Sequence, residues 1–278
     1  MSSSIFPSQP REKKVQIVAP FSDQKPGTSG LRKSSRRFEE TNYLESFVEA
    51  IFQILPGTNG GTLVLGGDGR YGNKRAIDVI LRMAAAHGLE KVITTVDGIL
   101  STPAASHLIR QNNAIGGIIL SASHNSGGPD GDFGVKVNGA NGGPAPESLT
   151  NAIYACTQNL SEYRIVDASP ISLSVIGHYS ILGTTIEVID GVEDYIGLMQ
   201  KLFDFDRISS FINQDFPIVF DALNAVTGPY ATRILEGLLK APVGTVRKGV
   251  PLEDFGGCHP DPNLTYAKEL ADLLLIGS

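Results

Sequence analysis

The stretch Gly116–Gly128, with the sequence GGIILSASHNSGG, joins an apolar run to a glycine-rich turn. The apolar residues 115–120 have the length of a buried strand, and turn residues begin directly after them. Ser123 is therefore predicted to lie on a loop at the end of a strand, where open α/β sheets bind their ligands. Nine glycines lie between Gly116 and Gly143. This density excludes a helix and lets backbone N–H groups approach an anion closely.

Strand-like and helix-like patterns alternate on both sides of this loop, which predicts an α/β layer structure with a mostly parallel sheet. Asn42 and Glu45 have the spacing of a pair that caps a helix start, and Ser101-Thr102-Pro103 resembles a second helix start. The predicted strands are 15–18, 62–65, 91–96, 115–120, 134–138, 185–189, 217–221 and 243–246. The predicted helices are 44–55, 73–87, one from 101, 144–160, 192–203, 205–212, 230–239 and 264–276.

The domain organisation follows from where these patterns weaken. Residues 1–14 are interpreted as a flexible tail. Residues 15–190 are interpreted as one α/β domain that contains the glycine-rich loop of Ser123, called the serine loop below. The proline and glycine residues in 23–33 predict a loop. Residues 162–184 have the weakest pattern and are interpreted as the connection to a second domain, 191–278.

Bulk properties exclude several classes of protein. The chain has 278 residues, of which 41% are hydrophobic, so it is long enough to bury a sizeable core. Its net charge of −6 argues against nonspecific nucleic-acid binding. No run is apolar enough for a membrane span or a signal peptide. The two cysteines are too few for a disulfide framework, so we expect reduced thiols and a cytoplasmic location.

Several separated motifs together carry a resemblance to a known family. Residues 116–147 closely resemble the phosphoserine loop of the α-D-phosphohexomutase family, which includes the phosphoglucomutases. The other motifs follow in the family's order: KPGTSGLRK at 25–33, GGDGR at 66–70, GILSTPA at 98–104, GPY at 228–230, and EDFGG and HPDPNLTYA within 253–267. One glycine-rich serine loop is weak evidence, whereas this ordered set is specific.

The resemblance implies both a fold and an activity. The fold is a three-layer αβα domain with a mostly parallel mixed sheet, followed by an incomplete second αβα domain. The activity is the interconversion of glucose 1-phosphate and glucose 6-phosphate, with a hexose phosphate as substrate. A phosphoserine donates its phosphoryl group, glucose 1,6-bisphosphate forms, and the other phosphoryl group returns to the serine.

Three residues of the serine loop and the next strand receive catalytic roles from the resemblance. Ser123 would carry the phosphoryl group. Lys136 would act as general acid and base, and burial beside a cation would lower its pKa toward that role. His124 is adjacent to Ser123 and would point away from it on an extended chain. We therefore assign His124 an orienting or charge role.

The basic loop near the N-terminus is the candidate anion site. Thr28, Ser29 and Arg32 would bind phosphate or position Ser123. Asp68 and Arg70 follow a tight turn, and such a charge pair is expected to brace the neighbouring loops.

Three positions depart from the family pattern. Ser126 stands where the family has proline, which leaves a less rigid turn. In DALNA, residues 221–225, Asn224 replaces a histidine and Ala225 replaces a glycine. If that glycine had a positive φ, alanine would be strained there.

The family's Mg²⁺ site is the main feature that this sequence lacks. Family members bind Mg²⁺ through the phosphoserine oxygen and three aspartates of a D-G-D-G-D-R loop. Ser123 is present, but no such triplet occurs, and Asp130 and Asp132 are the nearest imitation. We therefore expect weak Mg²⁺ binding and no turnover by this chain alone. The alternative function is a non-catalytic relative that binds a sugar phosphate or a protein partner.

Overall fold

The computed structural model describes residues 10–17, 19–27, 29–212, 214 and 216–276. The strands are β1 Arg11–Gln16, β2 Leu31–Ser34, β3 Thr62–Gly67, β4 Lys91–Thr95, β5 Gly116–Leu120, β6 Asp132–Gly139, β7 Glu162–Asp167, β8 Gly177–Ile181, β9 Thr184–Ile189, β10 Phe220–Asp221 and β11 Val246–Arg247. The helices are α1 Ser35–Glu39, α2 Tyr43–Ile54, α3 Asn73–Ala86, α4 Thr102–Gln111, α5 Glu147–Thr157, α6 Gly191–Leu202, α7 Phe205–Ile212, α8 Thr227–Ala231 and α9 Lys268–Ile276.

A seven-stranded mixed sheet forms the centre of the fold, in the order β2-β6-β5-β3-β4-β9-β8. Strands β5, β3, β4 and β9 are parallel, while β6, β2 and β8 are antiparallel to their neighbours. The four parallel strands therefore end at the same edge of the sheet. Because β3 and β5 are neighbours, the loops that follow them lie side by side at that edge, as predicted for Asp68 and Ser123.

Helices cover both faces of this sheet and confirm the three-layer αβα fold. Side chains alternate between the two faces along a strand. Ile118 and Leu120 accordingly join the core under α2, α3 and α5. Ile119 lies between them and joins the other core, which α4 and α6 cover. No helix in the described ranges is both long and apolar enough to cross a membrane.

Residues 11–14 belong to strand β1 and not to a flexible tail, and the predicted strand 15–18 overlaps β1 at Val15 and Gln16. Residues 1–9 and Val18 lie outside the described residues. β1 pairs antiparallel with β7, and Lys14 forms an ion pair with Glu162 at 2.5 Å across the two strands. The first four residues of β1 are polar and exposed, so they have no apolar periodicity that would predict a strand there. Its pairing partner lies about 150 residues further along the chain and gives no local signal.

The region 162–184 is not a connection between domains. Its two strands have separate partners: β7 pairs with β1, and β8 pairs antiparallel with β9 at the edge of the main sheet. An edge strand buries little apolar surface, which explains why the pattern of β8 is weak. The predicted loop 23–33 also ends in a strand, because β2 forms the opposite edge.

The predicted capping pair at the start of α2 is not formed. Asn42 precedes the helix with a φ of 69°, and its side chain caps no helical N–H group. Its Oδ1 instead accepts a hydrogen bond from the Tyr163 hydroxyl at 3.2 Å. A hydrogen bond to Tyr163 of β7 therefore takes the place of the predicted helix cap.

The remainder of the chain contains a small core and two short strands. Ile212, Leu239 and Ala241 form that core, and β10 pairs parallel with β11. The predicted strand 217–221 is reduced to β10. The predicted helix 230–239 begins earlier, with α8, and continues as a π-helical segment, Thr232–Leu238. α6, which follows the predicted domain boundary at residue 190, packs on the main sheet beside α4. That boundary stays a prediction.

Tyr230 connects this part of the chain to the main sheet. Its hydroxyl accepts the backbone N–H of Ser101 at 3.1 Å, and Ser101 caps α4 by accepting the N–H of Ala104. Tyr230→Phe leaves that buried N–H without a partner, so we expect the free energy of unfolding to fall by about 1–3 kcal/mol. Urea denaturation measures the change.

Tyr195→Phe is the matched control for Tyr230→Phe. The Tyr195 ring lies 5.4 Å from that of Tyr230. Its hydroxyl has no hydrogen-bond partner among the residues that the structure describes. We expect a change within about 0.5 kcal/mol. Equal losses in the two variants would contradict the assigned hydrogen bond.

Candidate active site

Ser123 lies on the loop that follows β5, as predicted. Its φ is 54°, in the left-handed region that residues other than glycine rarely adopt. The backbone N–H of Ser123 donates to Ser121 Oγ at 3.0 Å. The loop thus turns sharply directly after the strand, and the Ser123 side chain is exposed.

Two positively charged side chains meet at the hydroxyl of Ser123. Arg32 Nη2 lies 2.7 Å from Ser123 Oγ, and Lys136 Nζ lies 3.2 Å from it. Strand pairing brings them together, because β6 places Lys136 opposite Ile119 and β2 places Arg32 opposite Gly134. A Cβ on Gly134 would lie 2.4 Å from the Ser121 carbonyl oxygen, so only glycine fits there.

The electrostatics of this cluster favour an anion on Ser123 Oγ. Burial, and then the charge of Arg32, lowers the pKa of Lys136 below its ordinary value of 10.5. Arg32 Nε is buried without a hydrogen-bond partner. Within the described residues, neither side chain forms an ion pair with a carboxylate. The carboxylate of Asp68 acts on Lys136 only through its charge, without an ion pair, so the two cations at Ser123 remain available to an anion.

The side chain of Arg70 binds backbone carbonyls of the serine loop, which confirms the predicted bracing. Its side chain is fully buried, and its guanidinium donates to Asp68 at 3.0 Å. The same guanidinium donates at 2.8 Å to the backbone carbonyls of Ser123 and Asp132. Through these bonds Arg70 connects the loop after β3 to the turn in which Ser123 lies.

The remaining predicted site residues that the structure describes, His124 and Ser29, are exposed. His124 is exposed, and its side chain has no hydrogen bond within the described part of the chain. Ser29 is also exposed, on the turn Gly27–Gly30. That turn packs against β6, since a Cβ on Gly30 would lie 2.4 Å from the Val135 carbonyl oxygen. Thr28 lies outside the described residues. The roles of these residues stay predictions.

Asp130 and Asp132 each contact a different protein partner. Asp130 pairs with Arg36 at 2.5 Å, and the carboxylate of Asp132 accepts a hydrogen bond from Asn125 at 2.7 Å. The described residues contain no group of three or more His, Cys, Asp or Glu side chains placed to bind a metal ion. The donor set expected for Mg²⁺ is therefore not assembled by these residues.

Ala225, one of the positions that depart from the family pattern, shows no backbone strain. That residue lies outside the positive-φ region, whereas Leu223 and Asn224 have φ values of 53° and 52°. The condition under which alanine would be strained at this position is therefore not met. At Ser126, the backbone carbonyl accepts the N–H of Asp132 at 3.0 Å, which closes the turn without proline.

Sequence reasoning missed two residues that contact the serine loop from far along the chain. The Phe255 ring lies 5.1 Å from the Arg70 guanidinium carbon. The Glu253 carbonyl accepts a hydrogen bond from the N–H of Gly128 at 3.1 Å. Their segment was recognised only as the motif EDFGG, and nothing local indicates what it contacts.

Comparisons with known proteins find similarity over most of the chain. Residues 23–164 match the family model described as phosphoglucomutase/phosphomannomutase, alpha/beta/alpha domain I. A phosphoglucomutase of Rhizobium radiobacter is 56% identical over 255 residues, which are 92% of this chain and 47% of that protein. One from Schizosaccharomyces pombe is 53% identical over 254 residues, or 90% of this chain and 46% of that protein.

A solved structure extends the similarity to the whole described fold. The open form of the exocytosis-sensitive phosphoprotein pp63/parafusin from Paramecium, a phosphoglucomutase, superposes with a TM-score of 0.90. The two sequences are 46% identical, and the match covers 96% of this chain and 50% of that one. This chain thus spans about half the length of the relatives that it matches.

Proposed function

Because this chain belongs to the phosphoglucomutase/phosphomannomutase family, we propose that it is the phosphoserine-bearing part of a phosphoglucomutase. The proposed reaction interconverts glucose 1-phosphate and glucose 6-phosphate through glucose 1,6-bisphosphate. The similarity to phosphoglucomutases from a bacterium and a yeast supports this assignment.

One observation carries the proposal: Ser123 Oγ lies within hydrogen-bond distance of both Arg32 and Lys136. A serine that only forms a turn needs no cation, whereas a phosphoserine brings about two negative charges at neutral pH. Charge-assisted hydrogen bonds to its oxygens are stronger than neutral ones. The positive cluster thus fits a phosphorylated Ser123 better than a free hydroxyl.

Each side chain has one part in the proposed transfer. Ser123 Oγ attacks the phosphorus of a sugar phosphate, so that the Oγ–P bond forms while the bond from phosphorus to the sugar oxygen breaks. Lys136 takes the Ser123 proton and returns it to the departing sugar oxygen. Arg32 balances charge on the transferred group. Thr28 and Ser29 are proposed to bind phosphate or position Ser123, and His124 to have an orienting or charge role. Mg²⁺ and added bisphosphate stay predictions of the family resemblance.

The intact mass of the purified chain tests the proposal directly. We expect glucose 1,6-bisphosphate to increase the mass by one phosphate, and peptide mapping to place that phosphate on Ser123. Ser123→Ala removes the acceptor oxygen, so its mass should not change. Phosphate that appears only on Ser121 or Ser126 would contradict the assignment.

The same pair of proteins separates the alternative function from the proposed one. A binding module would hold glucose 1-phosphate equally well with and without the Ser123 hydroxyl. Calorimetric titration of wild-type chain and Ser123→Ala with glucose 1-phosphate measures this difference. Equal binding, together with no phosphate uptake by the wild type, would favour the binding module.

A further inference from the structure

The segment 253–255 contacts the serine loop from a distant part of the chain. The Glu253 carbonyl oxygen accepts two backbone hydrogen bonds, from Tyr71 at 2.9 Å and from Gly128 at 3.1 Å. Tyr71 follows Arg70, and Gly128 belongs to the serine loop. One carbonyl group therefore connects the loop after β3 with the loop after β5.

Phe255 adds a second contact through its ring. The ring is buried, with 2% of the residue exposed, and lies 5.1 Å from the guanidinium carbon of Arg70. The ring also packs against Gly127 of the serine loop, so closely that a Cβ added to Gly127 would lie 2.9 Å from two ring carbons. An aromatic face attracts a guanidinium at this distance. Phe255 therefore confines the side chain that holds the Ser123 carbonyl.

The segment is itself held in an unfavourable backbone conformation. Phe255 has a φ of 55°, which is rare for a bulky residue and persists only when the surroundings enforce it. Asn224 holds the residues just before Phe255, since its Nδ2 donates to the Val250 carbonyl and its backbone carbonyl accepts the N–H of Leu252, both at 2.9 Å. The departure from the family pattern at Asn224 thus supports the segment that carries Phe255.

We propose that Phe255 is a positioning residue for phosphoryl transfer at Ser123. Its ring fixes the Arg70 guanidinium, and Arg70 in turn fixes the backbone of Ser123. The catalytic meaning of this chain of contacts rests on the proposed function. The mechanical part, that Phe255 orders residues 121–132, stands on the contacts alone.

Hydrogen exchange measures the mechanical part. In Phe255→Leu the segment keeps an apolar side chain but loses the aromatic face. We expect backbone amides of 121–132 to exchange roughly 2- to 30-fold faster, the range that corresponds to the energy of a cation–π contact. The matched control is Leu239→Ala, which weakens the small core formed with Ile212 and Ala241 and removes no contact of Arg70. The control should leave exchange in 121–132 unchanged.

Phosphate uptake at Ser123 measures the catalytic part in the same variants. Phe255 does not contact the sugar in the proposed reaction. Phe255→Leu should therefore lower the limiting rate of uptake from glucose 1,6-bisphosphate by a similar factor, with the half-saturating concentration unchanged. If the wild type takes up no phosphate, the proposed function fails, and the exchange data still decide whether Phe255 orders the loop.

Two results would overturn the proposal: unchanged exchange in Phe255→Leu, or an equal rise in Leu239→Ala. If Phe255→Leu does not fold, a ring-fluorinated phenylalanine at position 255 replaces it, because fluorine weakens the negative face of the ring with little change in shape. Faster exchange in that protein supports the positioning role, and unchanged exchange contradicts it.

Discussion

Replacement of Lys136 by methionine is expected to lower the rate of phosphoryl transfer by roughly 10²- to 10⁴-fold, the usual contribution of a general acid or base. Lys136 Nζ is 3.2 Å from Ser123 Oγ, and burial followed by the charge of Arg32 lowers its pKa. A lowered pKa makes it easier for the Lys136 ammonium group to release a proton than it is for an exposed lysine. The rate is measured as phosphate uptake at Ser123 and as mutase turnover in the full protein.

Lys33→Met is the control for this prediction. Lys33 follows Arg32 on β2, and neighbouring side chains on a strand point to opposite faces. It lies 3.8 Å from Asp23 and forms no hydrogen bond with Ser123 in the described chain. We expect its rate to stay within about threefold of the wild type, since it exchanges no proton with the reacting atoms. A loss below about threefold in Lys136→Met would identify Lys136 as a bystander.

Lys136→Met should not destabilise the fold, and the pH dependence of stability checks the reason. The folded state lowers the pKa of Lys136 below 10.5, so the unfolded chain binds more protons between the two pKa values. Stability of the wild type therefore rises with pH in that window. Methionine removes the charged group, so the variant should equal or exceed the wild type near pH 7, and this advantage should shrink as the pH approaches 10.5.

Arg70→Met is expected to reduce the free energy of unfolding by about 3–5 kcal/mol, the cost of breaking a buried ion pair by removing one partner. The side chain of Arg70 is 0% exposed, and that of Asp68 is 9% exposed. The substitution leaves the Asp68 carboxylate buried without its partner. It also releases the carbonyls of Ser123 and Asp132. Urea denaturation measures the loss.

Arg36→Met separates this effect from a general loss of positive charge near the serine loop. Arg36 pairs with Asp130 of the same loop, but their side chains are 70% and 77% exposed. An exposed ion pair contributes at most about 1 kcal/mol. Similar losses in Arg36→Met and Arg70→Met would contradict the bracing role of Arg70.

The sequence by itself determined the features that depend on neighbouring residues. The run Gly116–Leu120 followed by turn residues predicted the strand and the exposed loop of Ser123. Helical spacing predicted α2, and Ser101 with Pro103 predicted the start of α4. The spacing of apolar side chains and the chemistry of turns act over a few residues, so a single sequence displays them.

Only the tertiary structure decided which distant residues meet. The extension of the first strand over residues 11–14 depends on pairing with β7, and Asn42 bonds to Tyr163 in place of capping α2. Arg32 and Lys136 converge on Ser123 because β2, β6 and β5 pair in one register. Phe255 reaches Arg70 from 185 positions along the chain. Each of these contacts joins residues that are far apart in the sequence, so the pattern around one residue does not identify its partner.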